Sequence, residues 1–471
     1  MAPMKIGLIL EGTYPYVTGG VSNWVHTLLT NLPEFEFEIY HLKAVTEPQT
    51  IKYKIPENVT AVHELNIFGD FESDSSQKAN LESLERIVSQ LSIERDIRSI
   101  VSFAIDFIRE NAGKNVRKML KTKGFWNILL KIYEEFFSER GLTEFYWMIM
   151  NLFLPVVNVL QFVPNRCDLF HVPSTGYASL VGMNGKFVHD VPLVITEHGI
   201  YHKEREREII LSTWVPDAYK PMWIELFRII SMIAYRVSDA LTTLYRKNQI
   251  YQLELGADPE KMFIIPNGIN VEEYDLPPEK HEGFVVGFVG RVARIKDLKT
   301  AIRAISIVKE VVGEKLTFLI IGPVDAEDYL AECKRLVRVL RLEDTVEFLG
   351  PQNVKEYYPK FDLLLLSSVS EGQPLVILEA MAAGVPIVAT DVGACRDIIY
   401  DKDGQCGIVV PPKDHLSMSK AIIKLYEDKE LRDTFSKNAK KVVQKYRVET
   451  MIEKYRNLYL SLTSKKTVST V

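Results

Sequence analysis

Apolar positions along the chain recur in two rhythms, one of strands and one of helices. Ile6 to Leu10 is a continuous apolar run, as expected for a strand buried on both faces, and Val21 to Leu32 has helical spacing. Phe37 to His41 reads as a second strand. Between about Gln77 and Val163 the rhythm changes. Leu81, Leu84, Ile87, Val88 and Leu91 recur at helical spacing and further helical stretches follow, which predicts an all-helical insertion. Strands then return at Leu169 to Val172, Leu193 to Thr196, Ala240 to Thr243 and Phe263 to Ile265. The polar stretch from Val271 to Glu282, with Pro277 and Pro278, reads as an interdomain linker. A second series follows at Phe284 to Val289, Leu316 to Ile321, Val346 to Leu349, Leu363 to Leu366, Ile387 to Ala389 and Ile408 to Val410. A helix from about Val448 to Leu462 and a polar tail close the chain.

Short apolar strands separated by helices imply parallel sheets covered on both faces. The expected class is therefore α/β: two Rossmann-like, doubly wound domains with a cleft between them and a helical insertion in the N-terminal one. The boundaries read as 1–275 for the first domain, with the insertion at about 77–163, then 283–445 for the second and 448–464 for the last helix. One segment departs from the rhythm. Phe145 to Val163 runs for 19 residues without a charge, close to the length of a membrane span. Asn151, Pro155, Asn158 and Gln161 interrupt it, and Pro155 is expected to break a helix in its middle. Buried helices are the favoured reading, ahead of a membrane-surface patch or a span.

Composition narrows the function only a little. With 471 residues, 47% of them hydrophobic and 25% charged, the chain has the balance of a folded protein of two or three domains. A formal net charge of −5 argues against a protein that coats nucleic acid. The four cysteines, Cys167, Cys333, Cys395 and Cys406, lie far apart without a CxxC pair, which reads as reduced thiols in a cytoplasmic protein. The apolar run after Met4 meets Glu11 too soon to be a signal-peptide core.

In doubly wound sheets ligands bind beyond the carboxyl ends of the strands, so the loops that follow strands carry the candidate chemistry. The richest is Glu371-Gly372-Gln373-Pro374-Leu375, leading into a helix that ends at Gly384 and Pro386. Pro374 suits the first helical position, and amides near Gln373 to Val376 would form an anion site. Glu371 could accept sugar hydroxyls from the loop. Glu379 falls about one turn into an apolar helix and needs a partner there, such as two ribose hydroxyls. The run Gly290-Arg291-Val-Ala-Arg294-Ile-Lys296 delivers three cations after a strand, of which Arg291 and Lys296 could neutralise a diphosphate. After the first strand, Gly19 and Gly20 would let backbone amides approach a phosphate or sugar closely. His198, between Glu197 and Gly199, follows another strand end. Asp401-Lys402-Asp403 matches a metal-holding DxD pattern but reads as a turn before Gly404, so no obligatory metal or other cofactor is expected.

Together these residues resemble the retaining family 4 glycosyltransferases of GT-B fold: the E-x7-E pair of Glu371 and Glu379, the loop of Gly290, Arg291 and Lys296, Pro266-Asn267-Gly268, and the EHG loop with His198. The stretches EGTYPYVTGGVSNWVH, TEHGIYHKERE and EGQPLVILEAMAAGVPIVATDVGACRDII look like the PelF-like branch associated with exopolysaccharide synthesis. The resemblance implies transfer of a hexose from a nucleotide sugar, UDP-glucose by analogy, to a carbohydrate acceptor with retention of configuration. Arg291 and Lys296 would bind the donor diphosphate, Glu379 the ribose, and Glu371 the transferred sugar. Backbone of the loop Gly372, Gln373, Pro374 and Leu375 would lie at the donor, and backbone near Phe348 to Gly350 at its base. His198 and the Gly19-Gly20 loop would approach the donor from the first, acceptor-binding domain, onto which the C-terminal helix would cross back. Other readings are a GT-B-shaped epimerase or phosphorylase, or a non-catalytic nucleotide-sugar-binding subunit of a polysaccharide secretion complex. The cationic run Lys114, Arg117, Lys118, Lys121 and Lys123 before Phe125-Trp126 could support peripheral docking on a membrane export complex, or simply be a solvated helix face. Nucleic acid is not an expected partner.

Overall fold

A computed structural model describes residues 3–44, 49–69, 79–93 and 96–468. The chain divides into two compact units. The first holds residues up to Thr243, Asn248–Ile264 and those from Lys454 on; the second holds Leu244–Lys247 and Ile265–Glu453.

The first unit is built on a seven-stranded parallel sheet: β1 (Lys5–Glu11), β2 (Glu36–Lys43), β3 (Val59–Asn66), β4 (Leu169–Val172), β5 (Leu193–Glu197), β6 (Ala240–Thr243) and β7 (Met262–Ile264), in the order β3-β2-β1-β4-β5-β6-β7. The central strands β4, β5 and β6 are buried at every position, their few polar residues included. Between β3 and β4 lie the helices Glu82–Ile93, Ile97–Asn111, Lys123–Phe136 and Leu142–Gln161, with a 3-10 turn at Val116–Lys121. The expected start of the insertion at Gln77 lies outside the described residues. Its helices begin where short polar side chains satisfy the first amides: Asp96 accepts from Arg98 N at 3.1 Å and Thr122 from Phe125 N at 3.2 Å. Val101, Ile105, Phe125 and Ile149 join the same hydrophobic core as Phe170 and Ile195 of the sheet.

Pro155 does not break the helix Leu142–Gln161, which is continuous through it. An interior proline costs about 3 kcal/mol locally, and tertiary hydrogen bonds hold the segment in place. Asn184 Nδ2 donates to the carbonyls of Leu160 at 2.8 Å and Phe162 at 2.9 Å, meeting groups that a helix end leaves unpaired. Asn158 Nδ2 reaches Ile67 O at 2.9 Å, and Gln161 Oε1 accepts from Arg117 N at 3.1 Å. The helix is long and apolar enough to cross a membrane, with a mean hydropathy of 1.3. Its C-terminal half nevertheless packs into the core, and Asn158 and Gln161 are bonded within the unit.

The second unit carries six parallel strands: β8 (Phe284–Val289), β9 (Leu316–Ile321), β10 (Val346–Gly350), β11 (Leu363–Leu366), β12 (Ile387–Thr390) and, after the small hairpin of β13 (Tyr400–Asp401) and β14 (Gly404–Gln405), β15 (Gly407–Val410). Their order, β10-β9-β8-β11-β12-β15, places the reversal between β8 and β11. The corresponding reversal of the first sheet falls between β1 and β4. The stretch read as a linker begins as packed structure, because Val271 is buried with Val285 and Leu364 and Tyr274 lies 5.8 Å from Tyr358. Apolar and aromatic side chains every few residues, among the acids, put its start in the second unit.

The last helix runs Val448–Val468, beyond the expected Leu462, and its residues from Lys454 on belong to the first unit. Tyr459 and Tyr455 are fully buried there. Tyr459 Oη and Thr196 Oγ1 each lie 2.7 Å from a ring nitrogen of His171, and Tyr455 Oη lies 3.3 Å from Thr196 and Thr242. Burial, helped by nearby His198, lowers the His171 pKa to about 3 and keeps the ring neutral. In an NMR titration from about pH 7 to about pH 5, the His171 ring signals should stay flat while an unperturbed histidine protonates near 6.5. The linkage has a definite sign: the unfolded chain gains this proton first, so this group removes stability as pH falls below about 6.5. A His171 signal that titrates near pH 6.5 would show that the ring is not held neutral.

Candidate functional site

Where a doubly wound sheet reverses its strand order, the loops on either side diverge and leave a crevice at the carboxyl ends. In the second unit the loops after β8 and β11 meet there. After β8 come Gly290, Arg291 and the 3-10 turn Arg294–Lys296, and then the helix Leu298–Val312. After β11 come Ser367 to Pro374 and the helix Leu375–Ala382. Backbone and hydroxyl bonds join the two loops: Val369 N donates to Ile295 O at 2.9 Å, and Ser367 Oγ to Lys296 O at 2.7 Å.

This joining brings two of the expected residues into direct contact. Lys296 Nζ donates to Glu371 Oε1 at 2.6 Å, and Ser368 Oγ donates to the same oxygen at 2.5 Å. Both charged side chains are mostly buried, at 16% and 14% exposure, so their attraction is less screened than at an open surface. Glu379 does not wait for an external partner, as its sequence context implied. Tyr358 Oη donates to Glu379 Oε2 at 2.6 Å, and Tyr274 supplies a second phenol. Burial raises the Glu379 pKa above the usual carboxylate range, with the two phenols opposing it.

Arg291 is exposed and faces Asp325 at 2.8 Å, while Arg294 pairs with Asp328 and Glu332. Surface pairs of this kind are worth about 0–1 kcal/mol and exchange readily for a stronger anion. Gln373 has a structural task that its sequence context did not reveal. Its side-chain oxygen accepts from Asn267 N at 2.7 Å and its amide donates to Asn267 O at 3.3 Å. Pro374 is the residue before the helix, not its first helical residue, because its ψ of 110° is extended. The Gly372 carbonyl accepts from Ala394 N at 2.9 Å, and Leu375 opens the helix. Gly350 ends β10 with a φ of +67°, a conformation that favours glycine, and its carbonyl accepts from Gly322 N at 2.9 Å. Asp401 and Asp403 flank a hairpin turn, and both carboxylates pair with Lys445.

In the first unit, Gly19 and Gly20 sit at the start of the helix Gly20–Asn31, with open space where side chains would be. His198 follows β5, and Trp24 packs edge-on against its ring at 4.7 Å. Burial lowers its pKa to about 4, and its buried Nε2 has no hydrogen-bond partner among the described residues. The preceding Glu197 is more deeply buried and fully engaged, by Tyr235 Oη at 2.6 Å, Gln252 Nε2 at 2.9 Å, Thr175 Oγ1 at 3.1 Å and Tyr201 N at 3.3 Å. All four cysteines are free and buried.

Sequence reasoning missed Tyr358 and Tyr274. They approach Glu379 from distant loops, and no periodicity marks either. Ser368 was findable, two residues beyond a strand end and three before Glu371. Tyr358→Phe should destabilise the protein by about 1–3 kcal/mol at neutral pH, as read by urea denaturation, because a buried carboxylate loses a donor. That difference should narrow as pH falls through the raised Glu379 pKa, since the neutral acid needs the phenol less. A pH-independent difference would show that Tyr358 contributes packing alone.

Comparison with known proteins bears on the family and the fold. Residues 4–260 match the family model described as a domain of unknown function, DUF3492, and residues 273–442 match the model described as glycosyl transferases group 1. An exopolysaccharide phosphotransferase of Streptomyces coelicolor is 31% identical over 233 residues, 48% of this chain and 24% of the relative. An N-acetyl-alpha-D-glucosaminyl L-malate synthase of Bacillus anthracis is 31% identical over 239 residues, 50% of this chain and 60% of the relative. The chain thus spans about a quarter to three-fifths of the length of these relatives. HepE of Anabaena, solved in complex with UDP, has the same fold. Its TM-score is 0.61 at 17% identity, with 98% of this chain and 100% of that one covered. The two sheets are therefore the Rossmann-like pair of GT-B structures, and the chain belongs to the DUF3492 family, joined here to a glycosyl transferases group 1 domain.

Proposed function

We propose that the protein is a retaining glycosyltransferase that moves a hexose from a nucleotide sugar, UDP-glucose, to a carbohydrate acceptor in exopolysaccharide or glycoconjugate synthesis. The observation that carries this reading is the Lys296–Glu371 pair, held at the strand-order reversal of a group 1 domain, just before the helix that carries the buried Glu379. A PelF-like role rests on the sequence stretches alone.

In the free protein Lys296 and Glu371 satisfy each other. A bound donor offers each a better partner: a diphosphate oxygen for Lys296 and sugar hydroxyls for Glu371. Arg291 can leave Asp325 for the same diphosphate. Glu379, already oriented by two phenols, has acceptor capacity left for ribose hydroxyls. The amide ends after Glu371, at a helix N-terminus, favour negative charge. His198 and the Gly19-Gly20 loop keep the roles that the family resemblance gives them. In the reaction the bond from the anomeric carbon to the diphosphate oxygen breaks. The acceptor hydroxyl oxygen forms the new bond on the same face, and its proton passes to the departing phosphate. Cations placed at the diphosphate stabilise the charge that develops there, so the scheme needs no metal. Asp401 and Asp403, both held by Lys445, take no part in it.

The test is thermal stability of the full chain against UDP-glucose, UDP-N-acetylglucosamine, GDP-mannose and ADP-glucose. At a concentration of about 100 times Kd, a ligand should stabilise the fold by about 2.7 kcal/mol. The expected result is a clear shift with the UDP sugars, lost in Glu379→Ala. A shift with another nucleotide family would correct the donor, and no shift in folded protein would overturn the assignment of this site.

A further inference from the structure

Away from the strand ends, the helical insertion of the first unit folds back on itself and leaves a surface that no other part of the unit covers. The helix Lys123–Phe136 buries Phe125, Ile128 and Leu129, and the helix Leu142–Gln161 buries Phe145, Ile149 and Leu152. The turn between them is fixed by Tyr133, whose Oη donates to Arg140 O at 2.7 Å, and by Phe137, which stacks on Tyr219 at 5.2 Å. What the pair turns outward is a set of large rings. Trp147 is 60% exposed and Trp126 is 42% exposed. Tyr146 connects them, 5.3 Å from Trp147 and 6.1 Å from Trp126. Single exposed apolar residues are ordinary, whereas adjoining tryptophans on well-packed helices mark an interaction surface.

Charge around these rings is sorted along the chain. Between Glu110 and Glu134 there are six cations and no acid. Lys118, Lys121, Lys123 and Lys131 are exposed, and none pairs with a carboxylate among the described residues. The sign then reverses at Glu134, Glu135 and Glu139, with Arg140 alone against them. On the helix, Lys123, Trp126, Asn127, Leu130, Lys131 and Glu134 recur at steps of three and four, so they share one outward stripe. Lys123 and Glu134 stand about 16 Å apart on it, at about 1.5 Å per residue. A flat anionic bilayer would attract one end of this stripe and repel the other. A second copy, turned end for end, satisfies both. With a two-fold axis across the middle of the helix, Lys123 faces Glu134 of the second copy, and Trp126 faces its Lys131, a cation over a ring.

We propose that this face is the interface of a two-fold dimer, in which the helix Lys123–Phe136 packs antiparallel on its copy, with Trp126 and Trp147 at the centre and Lys123–Glu134 pairs at the rim. Sedimentation velocity on the full chain tests it. Between about 1 and about 100 µM the chain should pass from monomer to dimer, a range open to interfaces of ordinary size. Trp147→Ala should weaken the dimer by roughly tenfold, as expected for a central tryptophan. Lys123→Glu and Glu134→Lys should each weaken it by roughly tenfold as well, because the symmetry places every change at two contacts. The variant that carries both charge reversals restores opposite signs at each pair, and it should dimerise like the wild type. These side chains are exposed, so melting curves of all four variants should overlay that of the wild type. A monomer at every concentration, single reversals that dimerise unchanged, or a double reversal as weak as the single ones would overturn the proposal. So would a wild-type monomer that floats with phosphatidylglycerol vesicles, because the face would then belong to a lipid surface.

Discussion

Both large sheets are parallel and have their central strands buried on each face, so neither face is open to a ligand. A parallel strand needs a crossover of a dozen or more residues before the next can begin, and those crossovers are the covering helices. What stays open is the rim at the carboxyl ends, widest where the strand order reverses. In the second unit the charged groups are found there. Along β8 and β11 every position is buried and apolar or glycine, and the first charged groups occur just beyond them, at Arg291 and Glu371. The first sheet repeats the arrangement with Glu11 at the end of β1 and Glu197 at the end of β5.

Three buried or half-buried carboxylates at these rims show what separates scaffold from working group. Glu197 has four donors, from three helices and the loop after β4. It braces the first unit, and its retention in the core is understandable only because every bond is made. Glu379 has two phenols, which orient it without exhausting its lone pairs. Glu371 depends on a cation and a hydroxyl from adjoining loops, a pairing that a ligand with both anionic and hydroxyl groups can replace at each end. Readiness to trade partners thus increases from Glu197 to Glu371, and the residue most able to trade lies between the cations and the helix N-terminus.

Much of the fold was legible because burial on both faces writes itself into the sequence as unbroken apolar runs. Leu363 to Leu366 and Phe284 to Val289 needed no tertiary information. Pro155 was misread because its local cost was visible and the compensating bonds of Asn184 and Asn158 were not. The start of the linker misled for a similar reason: its acids are prominent, while Val271 and Tyr274 act through contacts with residues far along the chain. At the site, Glu371 and Lys296 could be picked out by position after a strand, yet their contact could not, since 75 residues separate them. Gln373 shows the limit most clearly. Its place in the loop pointed toward a ligand, and its side chain is spent on the backbone of Asn267.

The two rims share a topology and differ in charge, and that difference follows from which residue types the loops deliver. After β8 the second unit supplies Arg291, Arg294 and Lys296 within six residues, beside a helix N-terminus. Lys296 there is already paired with Glu371, and Arg291 with Asp325. After β1 and β5 the first unit supplies Glu11, Glu204 and a histidine kept neutral by burial, with Arg205 drawn toward Glu11 and Glu208. The same strand order therefore presents different side-chain chemistry at the two rims, rich in cations in one and in carboxylates in the other.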